Sequence, residues 1–272
     1  MTTIDCADKD AVLALLTEAA LAGGEIAMRY FRPGAETAAR IDYKHGGSPV
    51  TEADLEVDRF LRDRLCAALP EAAWLSEETA DDLRRLDFAH VIVVDPIDGT
   101  RGYVGGDRRW AVSIALVGEG RPVAGVVHVP AMGQTYAARL GGGARRNGAA
   151  IHVTRRGLLP GATLAAPAGF IGPLVRAVPV NLGDKVPSLA CRFAAVAAGD
   201  IDCAVASPNA HDWDIAAVDL ILHEAGGLLS AGDGLPLTYN RRQPRHPTLY
   251  AAGLELHPAL RAAGRRSLSG GA

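Results

Sequence analysis

Cysteine is scarce in this chain. Cys6, Cys66, Cys191 and Cys203 lie far apart and form no C-x-x-C pair. That spacing supports neither a zinc knuckle nor a redox motif, and it favours buried free thiols over two disulfides. Positive charge is not in surplus either, since 28 Lys and Arg stand against 31 Asp and Glu. With a pI near 6.2, the chain has no long-range pull on a nucleic acid polymer, and an anionic partner must be met by a local pocket. No uninterrupted apolar run is long enough to span a membrane. The N-terminus, starting Met-Thr-Thr-Ile-Asp-Cys, lacks a basic stretch leading into an apolar core. We expect a cytoplasmic protein with no stable membrane insertion. Internal repeats are missing too.

What is present is a chain of 272 residues, 49% hydrophobic, enough to bury a large core. Val12, Leu15, Leu16, Ala19, Ile26 and Tyr30 form a helical stripe that Pro33-Gly34 ends. Residues 41–50 read as a loop, and a second helix follows from Thr51 towards Pro70. Ala73 to Ser76 is a short strand, and Val91 to Asp95 a buried one that Pro96 should stop, having no N–H for the ladder. Residues 110–117, 122–129 and 134–138 read as an antiparallel meander, and Asn147-Gly148 as a hairpin turn before Ile151-His152-Val153. His128 and His152 lack partners at ligand spacing and read as structural. The composition breaks at Arg155 to Gly161. We therefore expect an N-terminal α+β domain over 1–155 and a C-terminal α/β domain over 156–272. In the latter, strands at 162–166 and 203–206 alternate with helices at 188–199 and from His211. Further strands fall at 228–230 and 248–251, with a frayed tail after Ser267.

The chemistry concentrates in acids at element ends. Val91 to Thr100 reads V-I-V-V-D-P-I-D-G-T, two aspartates three apart where a strand gives way to a Gly99 turn. Such a turn can fold Asp95 and Asp98 towards one point, an oxygen cluster suited to a hard divalent cation. The same pentapeptide can be an ordinary turn. Thr51 with Asp54 has the spacing of a capping box, Glu77 and Glu78 follow a short strand, and Asp214 sits in the first turn of a helix, where the helix dipole alone would favour it. An EF-hand is excluded, because its ligand spacing and closing glutamate are absent.

Taken in order, Ser48-Pro49-Val50-Thr51-Glu52-Ala53-Asp54, Ser76-Glu77-Glu78, Asp95 to Thr100, Trp213-Asp214-Ile215-Ala216-Ala217 and Glu224-Ala225-Gly226-Gly227 resemble the inositol monophosphatase family of metal-dependent phosphatases. The resemblance implies a sugar-phosphatase fold of alternating helix and sheet layers, αβαβα. It implies that Glu77, Asp95 and the Ile97 carbonyl hold one Mg²⁺ and that Asp95, Asp98 and Asp214 hold a second, with a third, looser ion near Glu77 as an option. Thr100 with Asp54 would orient a water and take its proton, with Glu77 also in the catalytic set. Substrate contacts would come from Glu77, Ile97, Asp98, Gly99, Thr100, Arg101 and Asp214.

Within the family, Asp98-Gly99-Thr100-Arg101-Gly102-Tyr103, Gly120 to Val127, and Tyr239-Asn240-Arg241 with His246 look most like the 3'(2'),5'-bisphosphate nucleotidase branch, often called CysQ. That branch often carries Lys-Glu-Phe where Arg101-Gly102-Tyr103 stands. The resemblance implies removal of the 3'-phosphate from 3'-phosphoadenosine 5'-phosphate, giving AMP and phosphate by direct water attack. An inositol, sugar or histidinol phosphatase is the alternative, and a non-catalytic metal- or partner-binding protein the remote one. The partner is a small phosphate ester, and a homodimer remains open. A second phosphate would need Arg101, Arg192, Arg241 or Arg242, among which the sequence does not choose.

Overall fold

The structure, a computed structural model, describes residues 3–44 and 46–269. In chain order its elements are α1 (Lys9–Met28), β1 (Ile41–Tyr43), β2 (Pro49–Thr51), α2 (Glu52–Ala68), β3 (Ala72–Ser76), β4 (His90–Asp98), α3 (Thr100–Val104), β5 (Ala111–Gly118), β6 (Arg121–Val129), β7 (Gln134–Arg139), β8 (Ala144–Arg146) and β9 (Ala149–Ala150). There follow β10 (Thr163–Ala165), α4 (Ala168–Ala177), β11 (Asn181–Leu182), α5 (Leu189–Ala197), β12 (Cys203–Ala206), β13 (Ala210–His211), α6 (Asp212–Glu224), β14 (Gly227–Ser230), β15 (Arg245–His246), β16 (Leu249–Gly253) and α7 (His257–Ser269).

Seven strands, β3 to β9, form one sheet in sequence order, with β3 parallel to β4 and the rest antiparallel. The continuous apolar run of β4 makes sense here, because both faces of the sheet are covered. Ile92 and Val94 join a core with Val12, Leu16, Val57 and Leu61 of α1 and α2. Their neighbours Val91 and Val93 point the other way, into a core with Phe193 of α5 and Ile215, Val218 and Ile221 of α6. Five strands, ordered β11-β10-β12-β16-β14, form the second sheet. Ala204, Leu229 and Ala251 face α5 and α6, while Leu164, Val205 and Tyr250 pack with Leu174 of α4 and Leu260 of α7. The layers are thus α1/α2, sheet, α5/α6, sheet, α4/α7, the expected αβαβα arrangement. Each fully buried aliphatic side chain contributes roughly 1.5–3 kcal/mol. The middle core draws on residues from both sides of residue 155.

Several local expectations are corrected. Residues 41–50 are not a plain loop: β1 and β2 pair antiparallel as a hairpin. β4 does not stop before Pro96. Its register shifts between Asp95 and Asp98, and Asp98 again faces Ala111 of β5, so the missing N–H falls in an irregularity of the ladder. At the Asn147-Gly148 turn both residues have positive φ, 50° and 82°, as a type I′ hairpin requires. The following strand is β9, however, and Ile151-His152-Val153 is not in a strand. Helices α4 and α7 are additions. The tail expected to fray continues α7 to Ser269, and its last three residues lie outside the described residues. Among the described residues one helix, α1, is long and apolar enough by composition to cross a membrane, with a mean hydropathy of 1.6 over its best window. Here Val12, Leu16, Ala19 and Ala20 are fully buried in the core beneath the first sheet. All four cysteines are free.

Candidate active site

Four element ends meet around the turn that closes β4. β3 delivers Ser76-Glu77-Glu78, the irregular end of β4 carries Asp95 and Asp98, the first turn of α2 carries Asp54, and the first turn of α6 carries Asp214. Carboxylate oxygens from Asp95, Asp98 and Asp214 all lie within 4.8 Å of one another. Glu77 stands outside that triad but lines the same cavity of about 960 Å³.

Each acid is held by local chemistry. The Ile97 amide donates to Asp95 Oδ1 at 3.1 Å, which folds the turn back on its own carboxylate. Gly99 follows with φ +90°, and a Cβ there would stand 3.0–3.2 Å from Ser188, so glycine is required both by the backbone angle and by the close approach of α5. Asp98 caps α5 from across the fold. The Ser188 hydroxyl donates to its Oδ2, and so does the Ala190 amide at 2.7 Å. Asp214 Oδ2 accepts from the His211 amide at 2.6 Å, in a capping box. Asp54 closes the other capping box, its Oδ2 accepting from the Thr51 amide at 2.8 Å, while Oδ1 lies 3.1 Å from the Thr100 hydroxyl. That hydroxyl is also 2.9 Å from the Ile97 carbonyl oxygen.

Burial and mutual repulsion raise the proton affinity of these acids. Asp95 is pushed well above the usual carboxylate range by desolvation and then by Glu77, Asp98 and Asp214. Asp214 is raised by desolvation and by Asp98, and Asp98 is raised by desolvation against its helix-capping bonds. Desolvation lifts Asp54 to about 6. Among the described residues, the ammonium bonded to the group is that of Lys44, at the tip of the β1–β2 hairpin, 2.8 Å from both Glu77 Oε1 and Glu78 Oε1. A converging set of oxygen donors short of positive charge fits a hard divalent cation.

The structure therefore brings together Asp54, Asp95, Ile97, Asp98, Gly99, Thr100 and Asp214, and leaves Glu77 at their rim with Lys44. Of the four arginines considered for a second phosphate, Arg101 and Arg192 line the cavity, and Arg241 and Arg242 do not. Arg192 is tied to the Val186 and Val205 carbonyls. The sequence reading missed Lys44, Ser188 and Lys185, which also lines the cavity, and gave Glu78 no role. Desolvation lifts Glu78 to about 7. Lys44 sits 33 and 34 residues from its partners and Ser188 90 from Asp98, so no local spacing could announce them.

Comparison with known proteins identifies the family and supports the fold. The chain matches the inositol monophosphatase family over residues 8–265. It is 30% identical over 218 residues to the 3'(2'),5'-bisphosphate nucleotidase CysQ of Aggregatibacter actinomycetemcomitans, covering 76% of this chain and 81% of that one. It is 35% identical over 208 residues to the histidinol-phosphatase of Mycobacterium tuberculosis, covering 72% and 79%. The extragenic suppressor protein suhB of Bartonella henselae superposes with a TM-score of 0.82 at 28% identity, over 94% of this chain and 99% of that one. Sequence and fold agree, and the chain belongs to the inositol monophosphatase family of phosphatases.

Proposed function

We propose that this phosphatase is a Mg²⁺-dependent 3'(2'),5'-bisphosphate nucleotidase that removes the 3'-phosphate of 3'-phosphoadenosine 5'-phosphate. The observation carrying the substrate choice is the cation content of the cavity wall beyond the acids, where Arg101, Lys185 and Arg192 stand. A monophosphate of a neutral sugar needs no such charge, and a second phosphate does. The volume of about 960 Å³ also suits a nucleotide.

Asp95, Asp98, Asp214 and Glu77, with the Ile97 carbonyl, would hold two ions. Bound there, divalent cations supply Lewis acidity, making water a better nucleophile and neutralising charge on the leaving oxygen. The chain's own groups do the rest. Thr100 Oγ1 and Asp54 Oδ1 form a pair that can receive a water: the hydroxyl fixes its orientation and the carboxylate takes its proton. A pKa of about 6 suits Asp54 to that task, since it is mostly ionised at neutral pH yet basic enough to accept. Gly99 and Thr100 line the cavity at the turn, placing their backbone beside the transferred phosphoryl group. Arg101 and Lys185 orient the 5'-phosphate, and the half-buried Arg192, held by the Val186 and Val205 carbonyls, adds fixed positive charge. No covalent phosphoenzyme is required.

A phosphate-release panel with Mg²⁺ tests the reading, comparing 3'-phosphoadenosine 5'-phosphate, inositol 1-phosphate, fructose 1,6-bisphosphate and histidinol phosphate. We expect the highest kcat/KM for the first. Lys185→Ala should raise its KM about tenfold, the worth of one charge-assisted hydrogen bond to the 5'-phosphate, and leave inositol 1-phosphate unaffected. Preference for inositol or histidinol phosphate overturns the substrate and keeps the phosphatase.

A further inference from the structure

Asp212 opens α6 two residues before Asp214 and is fully buried. It does not line the cavity; its carboxylate is consumed from behind. His246 Nε2 lies 2.7 Å from Asp212 Oδ1, and because a carboxylate accepts, the ring donates. The Asn240 amide donates to Oδ2 at 2.8 Å, and the Asp212 amide itself donates to the Pro244 carbonyl at 3.1 Å. Alongside, β13 pairs with β15, His211 facing Arg245. His211 is the residue whose amide bonds Asp214. The first turn of α6 is thus fastened to residues 240–246 on the side away from the cavity.

The same segment is anchored to the stretch of chain that follows Glu77 and Glu78. Arg85 is 2% exposed. It donates to Asn240 Oδ1 at 2.5 Å and to the Arg241 carbonyl at 2.9 Å, while also pairing with Asp81 at 2.7 Å, three residues beyond Glu78. A carboxylate and an arginine this buried are costly to unpair, so the fastening is stiff.

We infer that Asp212 and His246 are positioning residues for Asp214: their buried bond sets where the α6 carboxylate stands relative to Asp95 and Asp98, and hence the metal affinity of the site. This rests on the metal-dependent reading above. Outer-shell partners of metal ligands typically contribute a factor of about 10–100 in affinity.

The test is Mg²⁺ titration of His246→Ala, read both as the melting-temperature shift and as the Mg²⁺ concentration for half-maximal phosphate release. We expect the half-maximal concentration to rise about tenfold or more, kcat at saturating Mg²⁺ to be largely kept, and His246→Gln, which retains a donor, to recover most of the loss. Tyr239→Phe is the control. It removes the bond from Tyr239 to Asp219 at 2.9 Å and loosens the same segment without touching Asp212, so it should lower metal-free stability and leave the Mg²⁺ midpoint in place. An unchanged midpoint in His246→Ala overturns the inference. Should that variant fail to fold, Asp212→Asn decides by the same midpoint, a shift supporting and no shift overturning. If wild-type protein shows no Mg²⁺-dependent shift at all, the metal-dependent reading itself has failed.

Discussion

Asp95 is 1% exposed and faces Glu77, Asp98 and Asp214, so its charge is a liability to the fold, and on the metal-dependent reading proposed above it becomes the shared wall of the site. Asp95→Asn separates the two roles. It should lower kcat by about 10³-fold or more, in the range of losses seen when a group central to the chemistry is removed. It should also raise the metal-free melting temperature, because a repelling charge is gone; a fall in metal-free stability would contradict this account. Asp54 makes a second test. With its pKa in the free protein near 6, kcat/KM should fall as pH drops through about 6, and Asp54→Asn should abolish that limb along with most of the rate. Asp54, Asp95, Asp98 and Asp214 were legible in the sequence because each sits within three residues of a local signal: a capping residue, a strand end or a tryptophan at a helix start. The pairings of Lys44 with Glu77, of Ser188 with Asp98 and of His246 with Asp212 were not. Each joins residues that only the folded chain brings near.

Elements were legible to the extent that their periodicity was strong. The buried run of β4 and the stripes of α1, α2 and α6 read directly. The segment of α4, Ala168-Gly169-Phe170-Ile171-Gly172-Pro173, carries two glycines and a proline and hides its helix behind loop composition. Pro96 misled in the opposite sense, since a proline inside a strand is tolerated where the register is already irregular. The packing of one element on another carries a prediction. Gly125 of β6 lies against α6 so closely that a Cβ would stand 2.9 Å from the Ala217 backbone. Gly125→Ala must push α6 off the sheet and should cost about 1–3 kcal/mol by urea denaturation. Because α6 carries Asp214, the Mg²⁺ requirement should rise as well. A variant that loses stability with an unchanged Mg²⁺ requirement would show that α6 tilts without moving its first turn.

For the molecule as a whole, the acidic cluster sets the response to pH and metal together. Asp54, Asp95, Asp98 and Asp214 all have folded-state pKa values raised by burial. The folded protein therefore binds more protons than the unfolded chain above the ordinary carboxylate range. Their contribution is full below about pH 4 and is lost as pH rises through the folded values, on the order of 3 kcal/mol for Asp54 alone. Metal-free protein should accordingly melt at lower temperature at about pH 8 than at about pH 5.5, and Mg²⁺ should recover the loss at the higher pH and do little at the lower. Equal melting curves with Mg²⁺ and with chelator at the higher pH would refute this. Asp98 caps α5 by accepting from Ser188 and Ala190, and this suture between the first sheet and the middle helical layer has a consequence in time. During synthesis at about 5–20 residues per second, roughly ten seconds separate Asp98 from the first turn of α6, and α5 emerges only late in that interval. Until then the aspartates of the β4 turn have neither their helix nor their third carboxylate. On the metal-dependent reading, the site closes only once α6 has emerged, and a translation product cut short before Asp214 carries Asp95 and Asp98 without their third carboxylate.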